Sequence, residues 1–308
     1  MRHQGVNTVL ITPDRELVEK LSRVRLVLMD IDGTLVTGDN IEFGNVLNQL
    51  RKLRPLDIGF SIATGRTIAG AAFVTERLRE LGRLLPPMIT YNGAVVLSGS
   101  DNTLVSRHLI ERGALDALIQ AARKAGVCAL AYACHAEFGF APKETVYSEA
   151  HDAPRFDFNG MPVVQVADLL AVQDDFVAVL LDCPTLQTKE SLILGLQADL
   201  GDRLRITTSG PRYIEICHPS GTKRSAMVEL ARMRKIHPEN VMAIGDNYND
   251  EDMIEGAGVG VAVANAPLAV QRVAALRTTL PSGQGVVQAL RLLTRAVRSW
   301  RPPRTLAG

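Results

Sequence analysis

Two apolar runs in this chain end abruptly at acids. Leu26-Val27-Leu28-Met29 runs into Asp30-Ile31-Asp32-Gly33-Thr34, and Val241-Met242-Ala243-Ile244 runs through Gly245 into Asp246-Asn247-Tyr248-Asn249-Asp250. Short apolar runs bounded by glycine are the pattern of parallel strands buried on both faces. A third, Ile58–Ala63, ends at Thr64-Gly65-Arg66, and a fourth, Met88–Tyr91, ends at Asn92-Gly93. Between them, Val46, Leu47, Leu50 and Leu53 recur at helical spacing, and a second helix is expected from the Thr64 turn to about Leu81. The order is β-α-β-α-β, which favours a parallel sheet with right-handed crossovers. Thr12-Pro13-Asp14-Arg15-Glu16 reads as a helix opening just before the first strand.

After Gly93 the rhythm changes. Ala94–Leu97 and Leu104–Arg107 flank Ser98-Gly99-Ser100-Asp101-Asn102, a hairpin signal. A helix from Glu111 to Lys124, strands around Cys128–Ala133 and Phe176–Leu181, and a helix over Thr188–Leu200 follow. The strands Leu204–Thr208 and Arg212–Cys217 end the block, while 140–165, with Pro142, Pro154, Gly160 and Pro162, carries no readable period. The α/β rhythm returns from Pro219: a helix to about Lys235, strands Val241–Ile244 and Val259–Val263, a helix opened by Pro267, and a last helix near Gly285–Val297. The expected fold is α/β: a parallel-sheet core made of 1–94 and 216–308, interrupted by an α+β domain over 95–215.

The chain of 308 residues suffices for about two domains. Its charge is nearly balanced, 34 basic against 33 acidic residues, which speaks against a nucleic-acid binder. Cys128, Cys134, Cys183 and Cys217 form no C-x-x-C pair and read as reduced thiols. No apolar stretch reaches the roughly 18 residues of a membrane span, and the first residues lack a secretory core. A cytoplasmic protein without membrane partners is expected; monomer or dimer is left open.

In a strand, residues two apart share a face, so Asp30 and Asp32 can aim at one site beyond the strand end. The bland alternative is a polar strand end. Asp246, Asn249 and Asp250 form a second cluster; a plain Asx turn explains one or two of them, but three in five positions exceed what a turn needs. Carboxylates delivered by two strands to one crevice suit a hard divalent cation such as Mg²⁺, with a carboxylate beside it able to attack an electrophile. Thr64 and the N–H groups after it can hold a phosphate oxygen, or merely cap a helix. Lys223, in Ser220-Gly221-Thr222-Lys223, sits where a helix should begin. A cation there opposes the dipole by roughly 0.3–1 kcal/mol, a cost that a bound phosphate would offset. The combination points to phosphoryl transfer.

In this order, Asp30-Ile31-Asp32-Gly33-Thr34, Ala63-Thr64-Gly65-Arg66, Lys223 and Gly245-Asp246-x-x-Asn249-Asp250 resemble the motifs of the haloacid dehalogenase superfamily. Asn92-Gly93-Ala94, the long insert between the Thr and Lys motifs, and Ile214-Glu215-Ile216 resemble its Cof-like sugar-phosphatase branch. The resemblance implies a Rossmann-like core with an inserted cap and an Mg²⁺-dependent phosphatase of small phosphorylated metabolites, sugar or polyol phosphates among them. It implies Asp30 as the nucleophile that forms an aspartyl-phosphate and Asp32 as the acid and base. Mg²⁺ would be held by Asp30, the Asp32 carbonyl and Asp246, and the phosphoryl group by Thr64, Gly65, Lys223 and Asn249. Asp250 would support the metal and Lys side, and Arg66, Asn92 and Arg212 are candidate substrate contacts. A sugar phosphomutase or phosphotransferase is the alternative, and a silent phosphometabolite-binding protein a more distant one. Two departures from the branch bear on the site: Arg224 follows the lysine where Gly is common, and Ser282-Gly283-Gln284-Gly285-Val286 replaces a usual Asn-Asp-Gly-Val. The first is expected to alter phosphate-site charge or substrate shape, the second to leave the chemistry untouched.

Overall fold

A computed structural model describes residues 13–37, 41–81, 87–99, 101–135, 140–150 and 160–299. Helix α1 (Arg15–Arg23) leads into β1 (Leu26–Met29), α2 (Ile41–Leu50), β2 (Gly59–Ile62), α3 (Ile68–Arg79) and β3 (Met88–Thr90). Next come β4 (Val95–Leu97), β5 (Leu104–Arg107), α4 (Arg112–Lys124), β6 (Cys128–His135), β7 (Lys143–Ser148) and β8 (Val163–Gln165). Strand β9 (Phe176–Asp182), α5 (Leu186–Leu200), β10 (Arg205–Ser209) and β11 (Tyr213–Cys217) complete the middle block. The chain continues through α6 (Lys223–Met233), β12 (Val241–Gly245), α7 (Glu251–Gly256), β13 (Val259–Ala262), α8 (Leu268–Val273), β14 (Leu276–Arg277) and α9 (Ser282–Ser299).

The first sheet runs β14-β13-β12-β1-β2 with every pairing parallel. Strand β1 sits between β12 and β2 and is buried along its length, which explains its unbroken apolar run. Its residues alternate between two helical layers. Leu26 and Leu28 pack with Ala226, Met227 and Leu230 of α6. Val27 and Met29 face the side built from α1, α2, α3 and α9. The strand order reverses about β1, so the crevice beyond its carboxyl end is the natural ligand site of such a sheet.

The middle block has a sheet of its own, β10-β11-β9-β6-β7-β8, antiparallel except for β7–β8. On one face Ala129, Ala131, Val179, Ile214 and Ile216 pack under α4 and α5, forming a core drawn wholly from 110–216. On the other face Leu130, Tyr132, Leu180 and Cys217 join the larger core that contains Tyr91, Ala94 and Val95. The α/β class and the parallel core therefore stand as expected from sequence.

Several details differ. Position 95 is no sheet boundary: β4 pairs with β3 and β5 with β4, and a bridge between Ala63 and Ile89 ties β3 to the end of β2. The cap of α1 is Asp14, whose carboxylate accepts from Leu17 N–H at 2.8 Å; Thr12 lies outside the described residues. The stretch 140–165 holds β7 and β8, and its residues 151–159 lie outside the described part, as do Pro86, Ser100 and the tail from Trp300. The two-residue β14, too short for a periodic signal, was not foreseen. Among the described residues no helix is long and apolar enough to cross a membrane.

Candidate active site

Strand β1 ends with Asp30 N–H donating to Ile244 O at 2.9 Å, and this last ladder bond fixes where the Asp30 side chain emerges. Asp30 is 4% exposed. Its Oδ1 accepts from Lys223 Nζ at 2.7 Å, and the same ammonium donates to Asp250 Oδ1 at 2.6 Å. Lys223 is the first residue of α6, behind a capping box made by Thr222 and Ser225. It is fully buried, with no solvent to reach into. Burial pulls its pKa down, but the charges of Asp250 and Asp30 more than offset this, so it stays protonated.

Asp250 also serves the turn. Its Oδ2 accepts from the N–H groups of Asp246 and Asn247, both at 3.0 Å. The Asx-turn alternative thus holds for this residue, with one oxygen closing the loop and the other meeting Lys223. Asp246 Oδ1 accepts from Thr34 Oγ1 at 2.7 Å, and its Oδ2 from Asn265 Nδ2 at 3.1 Å. The Asn265 amide also donates to Gly33 O at 3.0 Å, and its Oδ1 accepts from Ser282 N–H at 2.8 Å. Gly33 has φ +81°, and a Cβ there would stand 2.3 Å from Asp246 Oδ2, so only glycine lets the two acidic loops meet.

Asp30, Asp246 and Asp250 each offer an oxygen within 4.8 Å of the others. Burial and then the charge of Asp250 raise the pKa of Asp30 well above the carboxylate range, with Lys223 pulling the other way. Burial raises that of Asp246 to about 6, against a lowering hydrogen bond from Thr34. Such crowding of carboxylates around a single ammonium leaves room for further positive charge, and the all-oxygen donor set fits a hard divalent cation. Asn249 Oδ1, buried and without a partner among the described residues, is a further acceptor on the same loop.

The remaining candidates divide. Thr64, at the end of β2, is buried, and its hydroxyl accepts from Arg66 N–H at 3.1 Å. Asn92 Oδ1 accepts from Asn249 Nδ2 at 2.9 Å, and a Cβ on Gly65 would stand 2.9 Å from the same oxygen. Asp32 does not join the acidic cluster with its side chain. It is gripped in a fork by Arg66, Nε to Oδ2 at 2.7 Å and Nη2 to Oδ1 at 2.6 Å. Arg66 is steadied by Gly70 O at 2.9 Å and by the Phe73 ring beneath it.

Arg212 is not brought to the site. It pairs with Asp182 at the end of β11 away from Cys217, beside a cavity of ≈ 490 Å³ lined by Arg123, Glu149 and Asp182. Arg224 does not bear on phosphate-site charge either: its side chain lies beside Gly256 and reaches Glu255 at 3.3 Å. Ser282, by contrast, is closer to the chemistry than expected, because Asn265 ties it to Asp246. Thr34 and Asn265 were missed. Thr34 stood inside the quoted motif, but nothing local marked Asn265.

The sequence signature of the family described as haloacid dehalogenase-like hydrolase matches residues 27–290. The chain belongs to this family. Among relatives of this hydrolase, the putative phosphatase YxeH of Bacillus subtilis is 28% identical over 281 residues, covering 88% of this chain and 99% of that protein. The 5-amino-6-(5-phospho-D-ribitylamino)uracil phosphatase YcsE of the same organism is 25% identical over 268 residues, 87% of this chain and 95% of that one. The crystal structure of a haloacid dehalogenase-like hydrolase from Bacteroides thetaiotaomicron superposes with a TM-score of 0.72 at 23% identity, covering 87% and 98% of the two chains. At that coverage the likeness takes in the middle block, and it is a likeness of architecture.

Proposed function

We propose that this protein is an Mg²⁺-dependent phosphatase of small phosphorylated metabolites, acting through an aspartyl-phosphate on Asp30. The observation that carries the reading is the buried ammonium of Lys223 between Asp30 and Asp250, beside Asp246. A buried ion pair is poor value for stability alone, whereas phosphoryl transfer consists mostly of positioning and charge neutralisation.

In this reading Asp30 attacks phosphorus with the oxygen that Lys223 does not hold. The P–O bond to the leaving alcohol breaks, and Asp32 gives that alcohol its proton. Asp32 then takes a proton from the water that attacks the aspartyl-phosphate, releasing phosphate and restoring the Asp30 carboxylate. Lys223, the Thr64 hydroxyl and the N–H groups beside Gly65 hold the phosphoryl oxygens. Asp30, the Asp32 carbonyl and Asp246 would hold Mg²⁺, with Asn249 and Asp250 supporting that loop. When bound, the cation supplies charge neutralisation at the phosphoryl oxygens. Arg66 must release Asp32 before it can reach a leaving group.

The insert, with its own core over 110–216, is read as the cap that closes over the substrate and chooses it. A sugar or polyol phosphate is the favoured substrate; the named substrate of the YcsE relative carries its phosphate on a ribityl chain. The expected compartment is the cytoplasm. The test is phosphate release from a panel of small phosphate monoesters by wild type with Mg²⁺, with chelator, and as Asp30→Asn. Release that needs Mg²⁺ and Asp30 supports the reading; release that survives chelation or the substitution overturns it.

A further inference from the structure

The Ile214-Glu215-Ile216 motif has no part in the chemistry above, yet its carboxylate is aimed at the site. In β11 Ile214 and Ile216 pack under the cap helices, so by strand alternation Glu215 faces the core. There its Oε2 accepts from Asn92 Nδ2 at 2.5 Å. Among the described residues Glu215 makes no ion pair, so this acceptor is spent on a neutral amide.

Asn92 sits in a turn that touches every segment of the phosphate site. Tyr91, Asn92 and Gly93 have φ values of 50°, 56° and 105°, three consecutive residues in the left-handed region. Such backbone persists only where its surroundings over-determine it. Here Tyr91 N–H donates to Arg66 O and Asn92 N–H to Thr64 O, both at 3.0 Å. A Cβ on Gly93 would stand 2.2 Å from Thr222 O, directly before Lys223. The Asn92 side chain then reaches Asn249 on the Asp246 loop. A second cap carboxylate, Glu144 on β7, accepts from the Tyr91 hydroxyl and from Ile68 and Ala69 N–H at 2.7 and 2.8 Å.

A carboxamide can rotate by half a turn at little cost, exchanging its donor and acceptor ends. Glu215 can only accept, so it fixes the Asn92 NH₂ toward the cap and Oδ1 toward Asn249. Asn249 must then present its own NH₂ to Asn92, leaving Oδ1 as the free, buried end of the relay. We propose that Glu215 is a positioning residue that couples cap closure to the phosphate site by setting the orientation of the Asn92 and Asn249 amides. The proposal rests on the phosphatase reading of that site.

The test compares Glu215→Ala, Glu215→Gln, Asn92→Ala and the double Ala variant on a sugar phosphate and an aryl phosphate. Glu215→Ala is expected to lower kcat about 10- to 100-fold on both substrates with a smaller change in KM. Glu215→Gln, which keeps an accepting oxygen, recovers most of that loss. The double variant is no worse than Asn92→Ala, because the two residues act in one chain. Additive losses, a loss confined to the sugar ester, or a Gln variant as poor as Ala would overturn the proposal. Wild type that hydrolyses no phosphate ester would overturn the phosphatase reading instead. Amide exchange then decides the relay: faster exchange at Gly65, Arg66 and 246–250 in Glu215→Ala than in Glu215→Gln supports it, and equal exchange overturns it.

Discussion

Lys223 and Asp30, 193 positions apart in sequence, meet at 2.7 Å with both side chains all but sealed from solvent. The contact joins the first turn of α6 to the end of β1 and balances one buried charge against another. Removing one partner strands the rest. Lys223→Met is expected to destabilise the protein by about 3–5 kcal/mol in urea unfolding, because Asp30 and Asp250 are left as uncompensated buried carboxylates. A loss under about 1 kcal/mol would show that solvent reaches them.

The raised carboxylates make the metal-free protein sensitive to pH in a direction opposite to ordinary acid denaturation. Burial in the folded protein pushes the pKa of Asp246 up to about 6, from the ordinary 3.8 of an aspartate. Between those values the folded state holds a proton that the unfolded state has released, so stability falls as pH rises from about 4 to 6. Asp30 adds in the same direction. The contribution of Asp246 is of order 1–3 kcal/mol, read from Tm against pH with chelator present. Mg²⁺ should reverse the trend, since protons compete for its ligands below about pH 6. A metal-free Tm that rises with pH across this window would contradict the crowding described.

Thr34 and Asn265 orient Asp246 from either side. Thr34→Val and Asn265→Ala are each expected to weaken Mg²⁺ binding about 10- to 100-fold in calorimetric titration, with the fold retained, as for other residues that orient metal ligands. Unchanged affinity would mean that Asp246 needs no such support.

Arg66 holds Asp32 in a two-point fork. Because Arg66 must release Asp32 before that acid reaches a leaving group, Arg66→Ala should spare or raise kcat on a sugar phosphate, whose alkoxide needs a proton, relative to kcat on an aryl phosphate, whose phenolate does not. Equal losses on both would assign Arg66 to the phosphoryl group instead.

Legibility from sequence followed the range of the interactions. Strand β1 and the acids at its end were plain because a parallel strand buried on both faces cannot hide its composition. Lys223 stood out because a cation at a helix start breaks a local rule. Asn265 was invisible, because its role depends on meeting Gly33 and Asp246 across the fold. Arg212 pairs with Asp182, a contact between β9 and the start of β11 that the sequence pattern could not show. The start of the insert was harder to read, because β4 pairs with β3 and β5 with β4 in a small sheet of their own, which pattern alone cannot assign.

The most direct measurement is a rapid acid quench of the enzyme during turnover of a good phosphate ester with Mg²⁺, followed by peptide mapping. A phosphoryl group on the peptide containing Asp30, present in Asp32→Asn at higher occupancy and absent in Asp30→Asn, is the result this account expects. Turnover with no phosphoryl-enzyme at any quench time, or a phosphoryl group on a peptide without Asp30, would contradict it.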